Sequence, residues 1–260
     1  MGNYLKIYSQ LTPQELRQLN YKELYKKLNP KWDDSLILLC NLFKPFIKPE
    51  LKILDAGCGH GNIVIDEFRK NIKKAVGIDF NKEATSKNVC LDEIVIGDLE
   101  NMPFSGESFD IVLSLWVLEH LENPLKVLSE IYRVLKPGGI FFFVTPYKFS
   151  YVLIAKRIFG VRITKFILEK LYGRKEQDCF NTKYKANTPT ELLNLFSKAR
   201  FKKQTLILNS DPSYLSLNSF LFRIAVLLEK FSKFIPFNLT KMHIIGVFLK
   251  QTKPNHRDST

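Results

Sequence analysis

The chain has only four cysteines, and Cys40, Cys58, Cys90 and Cys179 stand singly with no C-x-x-C pair. This spacing excludes a zinc ribbon and offers no disulfide framework, which fits a reduced compartment. Four histidines, His60, His120, His243 and His256, are as scattered, and none lies at ligand spacing from a cysteine. No metal site is expected. There is no internal repeat and no low-complexity tract. The opening residues, MGNYLKIYSQ, lack the apolar core of a signal peptide. They begin Met-Gly, but Lys6 stands where N-myristoylation takes Ser or Thr. These absences point to the cytoplasm.

What is present is a chain of 260 residues, 45% hydrophobic, with a formal charge of +13. That composition can bury a core and argues against disorder. The charge is unevenly placed. Residues 1–147 carry 18 Lys/Arg against 19 Asp/Glu, whereas residues 148–203 carry 14 against 4 and residues 204–260 carry 7 against 3. The excess is either a solvated basic face or a surface for an anionic partner.

Residues 1–50 read as a helical cover, with Leu11, Leu16, Leu19, Leu24 and Leu28 at loose helical intervals and a second apolar stripe from Leu36 to Phe46. From Leu51 short apolar runs alternate with helical stretches. LKILDA, AVGID, EIVIGD, FDIVLSL and GIFFFVT read as strands. Between the last two, PLKVLSEIYRVL has Leu125, Leu128, Ile131 and Leu135 on one helical face, and Pro137-Gly138-Gly139 stops it. Unbroken apolar strands alternating with helices predict a parallel sheet covered on both faces. A basic, aromatic insertion occupies 147–187. Thr188-Pro189-Thr190-Glu191 then predicts a helix start, with Thr188 as N-cap and Glu191 completing a capping box. FKKQTLILN and HIIGVFLK read as closing strands around a second insertion at 209–240, and 251–260 is a polar tail.

The stretch ILDAGCGHGN places Gly57, Gly59 and Gly61 at alternate positions between a strand and a helix. Glycine is costly to order, so this spacing implies a tight turn or the close approach of a ligand to backbone N–H groups. Asp79 ends the second strand, 22 residues after Gly57, where a carboxylate can accept both hydroxyls of a ribose. Asp98 ends the third, where it can accept from an adenine amino group.

Six motifs occur in order: D-x-G-C-G-x-G, an acid closing strand two, G-D-L-x-x-M-P-F, F-D-x-V, V-L-E-H-L and L-K-P-G-G. Together they resemble the class I S-adenosylmethionine-dependent methyltransferases. Over residues 51–146 the chain is similar to the type-11 family, which includes quinone-biosynthesis C-methyltransferases. The resemblance implies an enzyme with S-adenosylmethionine as cofactor. It implies that Asp55, Gly57 and Gly59 hold the methionine portion, with Cys58 packing and Gly61 completing the loop. Asp79 and Phe80 would hold the ribose end, and Asp98 with Leu99 the adenine. Ser114, Leu115 and Trp116 would lie beside the methyl group, with Trp116 and Tyr147 in the substrate pocket. Glu119 and His120 are the candidate catalytic pair; alternatively, they organise the loop after strand four. A dinucleotide dehydrogenase would more often show a third glycine where Asn62 stands.

The expected fold is α/β: a doubly wound, mostly parallel, seven-stranded Rossmann-like sheet with N-terminal helices and two helical insertions. Its core is 51–146, and its C-terminal part 188–250. The acceptor is expected to be a small molecule, lipid- or quinone-like or sugar-linked. YLSLNSFLFRIAVLLEKFSKF is interrupted by Arg223, Glu229 and Lys230, so it falls short of a spanning helix. It is either a lid helix on the sheet domain or an in-plane amphipathic helix with Lys230 and Lys233 near anionic head groups, which would add peripheral membrane contact. RNA methylation, motivated by the basic segment, and non-catalytic cofactor binding remain the alternatives.

Overall fold

The computed structural model describes residues 12–155, 157, 158, 182–215, 218–234 and 238–251. In chain order the elements are α1 (Pro13–Leu28), α2 (Ser35–Phe43), β1 (Lys52–Ala56), α3 (Ile63–Phe68), β2 (Lys74–Asp79), α4 (Lys82–Thr85) and β3 (Glu93–Ile96). There follow β4 (Phe109–Leu115), α5 (Pro124–Val134), β5 (Leu135–Pro146), α6 (Pro189–Lys198), β6 (Phe201–Ser210), α7 (Ser219–Lys230) and β7 (Lys241–Lys250). Most of the first insertion, the first eleven residues, Cys179 and the tail from 252 lie outside the described residues, as does the Lys233 side chain.

The seven strands form one sheet in the order β3-β2-β1-β4-β5-β7-β6. The β1–β2, β1–β4, β2–β3 and β4–β5 pairs are parallel. This is the expected doubly wound sheet. The chain runs outward from β1 through β3 and returns to β4 on the other side of β1. That reversal makes the carboxyl ends of β1 and β4 the switch point where such sheets bind ligands.

The chain divides into two compact units. One comprises residues 39–145, 182–207 and 244–260, and the other residues 1–38, 146–181 and 208–243. In the first, the aromatic core is built from β5 and its neighbours. Phe143 stacks on Phe196 and Phe248, at 5.3 and 5.9 Å between centroids, and Phe196 lies 3.8 Å from Phe248. In the second, Tyr25, Phe222 and Val226 form a buried cluster flanked by Tyr21 and Trp32. Beside it Lys22 Nζ lies 2.5 Å from Asp34 and 3.2 Å from Asp211. Burial opposes the charge on Lys22, but the two carboxylates overcome it and raise its pKa.

Four local expectations are corrected. The leucines of α1 do not form its buried face: Leu16, Leu24 and Leu28 are exposed, and Tyr25 is the buried residue. In α5 the buried face is Val127, Leu128, Ile131 and Val134, while Leu125 is exposed. Pro137-Gly138-Gly139 does not separate α5 from its strand. β5 begins at Leu135, and the register against β4 shifts between the Phe109–Leu135 and Ile111–Ile140 pairs, which places these residues in an irregularity of the strand. At α6, Thr188 caps Glu191 N–H as expected, but the Glu191 carboxylate accepts from the N–H of Asn187, one residue further back.

Candidate active site

The glycine loop turns sharply out of β1. Gly57, Gly59 and Gly61 have φ of +81°, +40° and +143°, a region that other L-residues rarely adopt. The Gly57 and Cys58 N–H groups donate to Ile78 O at 2.8 and 3.2 Å, which fastens the loop to the end of β2. At Gly57 an added Cβ would fall 2.4 Å from Val117 Cγ2, so this glycine is required by packing as well as by φ. At Gly59 a Cβ would meet only Asp79 Oδ2, at 4.0 Å, so its face is open.

Asp55, at the end of β1, is 1% exposed. Its Oδ1 accepts from Asn62 Nδ2 at 2.8 Å, while its buried Oδ2 has no hydrogen-bond partner among the described residues. Burial pushes the carboxyl up to about 7, with the Asn62 hydrogen bond opposing the shift and Asp79 adding to it. Asp79, at the end of β2, accepts from Gly59 N–H at 2.9 Å and Asn81 N–H at 2.8 Å, and keeps acceptor capacity on both oxygens. Phe80, next to it, is 74% exposed. Asp98 follows β3, is exposed, and accepts from Glu100 N–H at 2.8 Å; Leu99 beside it is half-buried.

Cys58 fills the space against Gly77, where a Cβ would stand 2.6 Å from its sulfur. Burial, then the nearby Asp55 and Asp79, raise its thiol to about 12, so at neutral pH it is a packing group and no nucleophile. Ser114, near the end of β4, is buried with its hydroxyl donating to Ala56 O at 2.9 Å, which leaves Leu115 and Trp116 as the half-buried residues of that strand end. Trp116 has φ +59°, an uncommon conformation for an aromatic residue, and its N–H donates to Val144 O at 2.9 Å. Tyr147 belongs to the other unit, where it is buried and donates its N–H to Met242 O at 2.7 Å.

Glu119 is 4% exposed and accepts from Thr145 Oγ1 at 3.0 Å; Thr145 in turn accepts from Asn187 Nδ2 at 2.7 Å. Burial raises the Glu119 carboxyl to about 7. Its backbone oxygen accepts from the N–H groups of Lys183 and Tyr184, at 2.7 and 3.1 Å. Three residues on, Glu122 pairs with Lys183 and Lys185, which hold its carboxyl well below the usual range. Glu119 therefore joins the loop after β4 to residues 183–187. His120 is half-buried, its Nε2 3.9 Å from Glu119 Oε1.

Two residues that hold this loop were not singled out from sequence. Asn62 was noted only as the residue in place of a glycine. It caps α3, accepting from Val64 and Ile65 N–H, while its amide donates to Asp55. An Asn directly before an apolar helical run is a readable N-cap signal. Asn88 donates to the carbonyls of Cys58 and Gly59, at 3.1 and 3.2 Å, and no local pattern announces a contact thirty residues away.

The arrangement thus has an open glycine turn, a buried carboxylate with one oxygen unpartnered among the described residues, and two further acids, each at or just beyond the carboxyl end of its strand. This donor and acceptor set fits S-adenosylmethionine, whose ammonium, ribose hydroxyls and adenine amino group each need an acceptor. The family profile described as a methyltransferase domain matches residues 54–143. This segment is a methyltransferase domain. The chain is 34% identical over 106 residues to a protein of Mycolicibacterium smegmatis named as a probable S-adenosylmethionine-dependent methyltransferase, covering 38% of this chain and 39% of that one. It is also 34% identical over 108 residues to the sterol 24-C-methyltransferase of Yarrowia lipolytica, covering 38% and 28%. The chain spans less than two fifths of the length of these relatives. In fold it matches geranyl diphosphate C-methyltransferase of Streptomyces coelicolor, solved with geranyl diphosphate and S-adenosylhomocysteine. The TM-score is 0.53 at 12% identity, over 81% of this chain and 79% of that one. The expected class I methyltransferase fold is thereby established.

Proposed function

We propose that the protein transfers a methyl group from S-adenosylmethionine to a small-molecule acceptor that is lipid- or quinone-like or sugar-linked. The observation that carries this is the buried, unpartnered Asp55 Oδ2 beside the positive-φ glycine turn at the switch point. When bound, the cofactor supplies an already activated methyl on a sulfonium. The protein's own work is then to bind, to align and to keep water out. Asp55 would accept from the cofactor's ammonium and Asp79 from its ribose. Asp98 and Leu99 would flank the adenine, and Gly59, whose face is open, would leave room for the methionine portion, with Gly57 shaping the turn against Val117. Leu115 and Trp116, at the end of β4, would border the methyl.

A base is needed only where the acceptor must lose a proton. His120 is the candidate, with Glu119 as the residue that orders its loop. A lipid-like acceptor is supported by the names of similar proteins, which refer to sterol and geranyl diphosphate substrates.

Calorimetric titration with S-adenosylmethionine, S-adenosylhomocysteine and NAD tests the cofactor. Binding of the first two with NAD silent is expected, and the reverse pattern would overturn the proposal. Incorporation of labelled methyl into lipid, quinone and sugar acceptors then identifies the acceptor class.

A further inference from the structure

Helix α7 has two apolar faces, one buried and the other exposed. At about 100° per residue, Phe222, Ala225 and Val226 turn to one side, where they are buried. Phe222 packs on Tyr21 of α1 at 4.5 Å between centroids, and Tyr25 completes the cluster. The opposite side carries Phe220, Ile224, Leu227 and Phe231 within an arc of about 60°. Phe220 is 68% exposed, Leu227 54% and Phe231 53%, and Phe234, just beyond the helix, is 83% exposed. Large aromatic side chains in a contiguous exposed stripe mark an interaction surface.

The charges on α7 are sorted as well. Its acid, Glu229, turns inward, accepting from Lys241 Nζ at 2.7 Å and Ser210 Oγ at 2.6 Å. Arg223 and Lys230 are exposed. On the helical projection both fall on one flank of the apolar stripe. The exposed side of the helix is therefore apolar and cationic, with its negative charge removed to the interior. No helix among the described residues is long and apolar enough to cross a membrane, so this one can engage a bilayer only in its plane.

We propose that the Phe220–Leu227–Phe231–Phe234 face of α7 docks on an anionic lipid surface, with Arg223 and Lys230 at the phosphate level. A protein partner presents a pattern of both charge signs, to which the residues beside the stripe would answer. A bilayer with anionic head groups calls for cations there and penalises acids. The inference deepens the lipid-acceptor proposal and rests on it for its purpose, since docking brings the enzyme to the phase that holds such an acceptor.

The test is co-sedimentation of the full chain with vesicles of phosphatidylcholine alone and of equal parts phosphatidylcholine and phosphatidylglycerol. Binding to the anionic vesicles alone is expected, weakening as salt rises. The triple variant Phe220→Ser, Leu227→Ser, Phe231→Ser is expected to lower partitioning at least about tenfold. The charge reversal Arg223→Glu, Lys230→Glu, which leaves the apolar stripe intact, is expected to do the same. Both should keep wild-type affinity for S-adenosylhomocysteine. Absence of vesicle binding by the wild type overturns the proposal. So does undiminished binding by the triple variant, which would place the lipid contact elsewhere. A wild-type dimer that the triple variant converts to monomer in sedimentation velocity would assign the face to a second copy of this chain. Failure to bind S-adenosylhomocysteine at all would count against the methyltransferase proposal and leave the vesicle result standing.

Discussion

Asn62 joins Asp55 to the first turn of α3: its amide nitrogen donates to Asp55 Oδ1 at 2.8 Å, and its oxygen accepts from Val64 N–H at 3.0 Å. One side chain thus caps a helix and holds a buried carboxylate beside the glycine turn. Replacing Asn62 by Ala removes both functions. The cap alone is worth about 0.5–2 kcal/mol, and Asp55 then loses its neutral donor. A fall in thermal stability together with weaker S-adenosylhomocysteine binding is expected. A fall in stability with unchanged affinity would show that the Asp55 geometry does not depend on Asn62.

Asp55 also sets a pH dependence. Its carboxyl titrates near 7 in the fold, against about 4 in an unfolded chain. Between those values the folded state holds a proton that the unfolded state has lost, so stability declines as pH rises through the window. Glu119, also raised to about 7, contributes in the same direction. Cofactor binding should run the opposite way, because an ammonium favours the ionised carboxylate. Affinity for S-adenosylhomocysteine is expected to be about tenfold tighter near pH 8 than near pH 6. Asp55→Asn should flatten that dependence in calorimetry. A flat wild-type profile would remove Asp55 from the ammonium site.

Asp79 accepts from Gly59 N–H and stands at the open face of the glycine turn. Asp79→Ala is expected to weaken S-adenosylmethionine binding by about 1–3 kcal/mol, the scale of losing hydrogen bonds to a charged group. Unchanged affinity would put the ribose contact elsewhere.

Glu119 and His120 can be separated by experiment. Glu119→Ala leaves the buried Thr145 hydroxyl without its acceptor and should cost about 1–3 kcal/mol of stability. Glu119→Gln keeps an acceptor and should cost less, with methyl transfer largely retained. A fully folded Glu119→Gln protein whose transfer rate drops about a hundredfold or more would instead place Glu119 in the proton chemistry.

The parts legible in the sequence are those fixed by local signals. The strands betray themselves by short apolar runs and the glycine turn by its spacing, and Thr188 caps α6 where predicted. The errors come where distant residues decide. The α1 leucines have helical spacing, but the helix buries the side that meets Phe222, nearly two hundred residues away. Pro137-Gly138-Gly139 carries the chemistry of a loop, yet it lies within β5, where the register against β4 shifts. The acceptor was legible only as a broad class, because residues that choose a substrate in such folds lie on insertions without a fixed motif. The inward turn of Glu229, which gives α7 its purely cationic exposed side, likewise depends on Lys241 and Ser210 from other elements.

Gly57 offers the sharpest test of the loop, since two separable effects forbid a side chain there. Its φ of +81° strains any L-residue, at about 1–2 kcal/mol. Its missing Cβ would also stand 2.4 Å from Val117 Cγ2. Gly57→Ala should therefore destabilise the protein by more than the backbone cost alone. Val117→Ala removes the clashing methyls, so the Gly57→Ala substitution should cost less in that background. The remaining cost should approach the backbone strain. A double-mutant cycle read by denaturant unfolding measures the coupling directly. Strict additivity would mean that Val117 yields freely to a Cβ at Gly57. The glycine would then be explained by φ alone, and contact with Val117 would not be what shapes the turn.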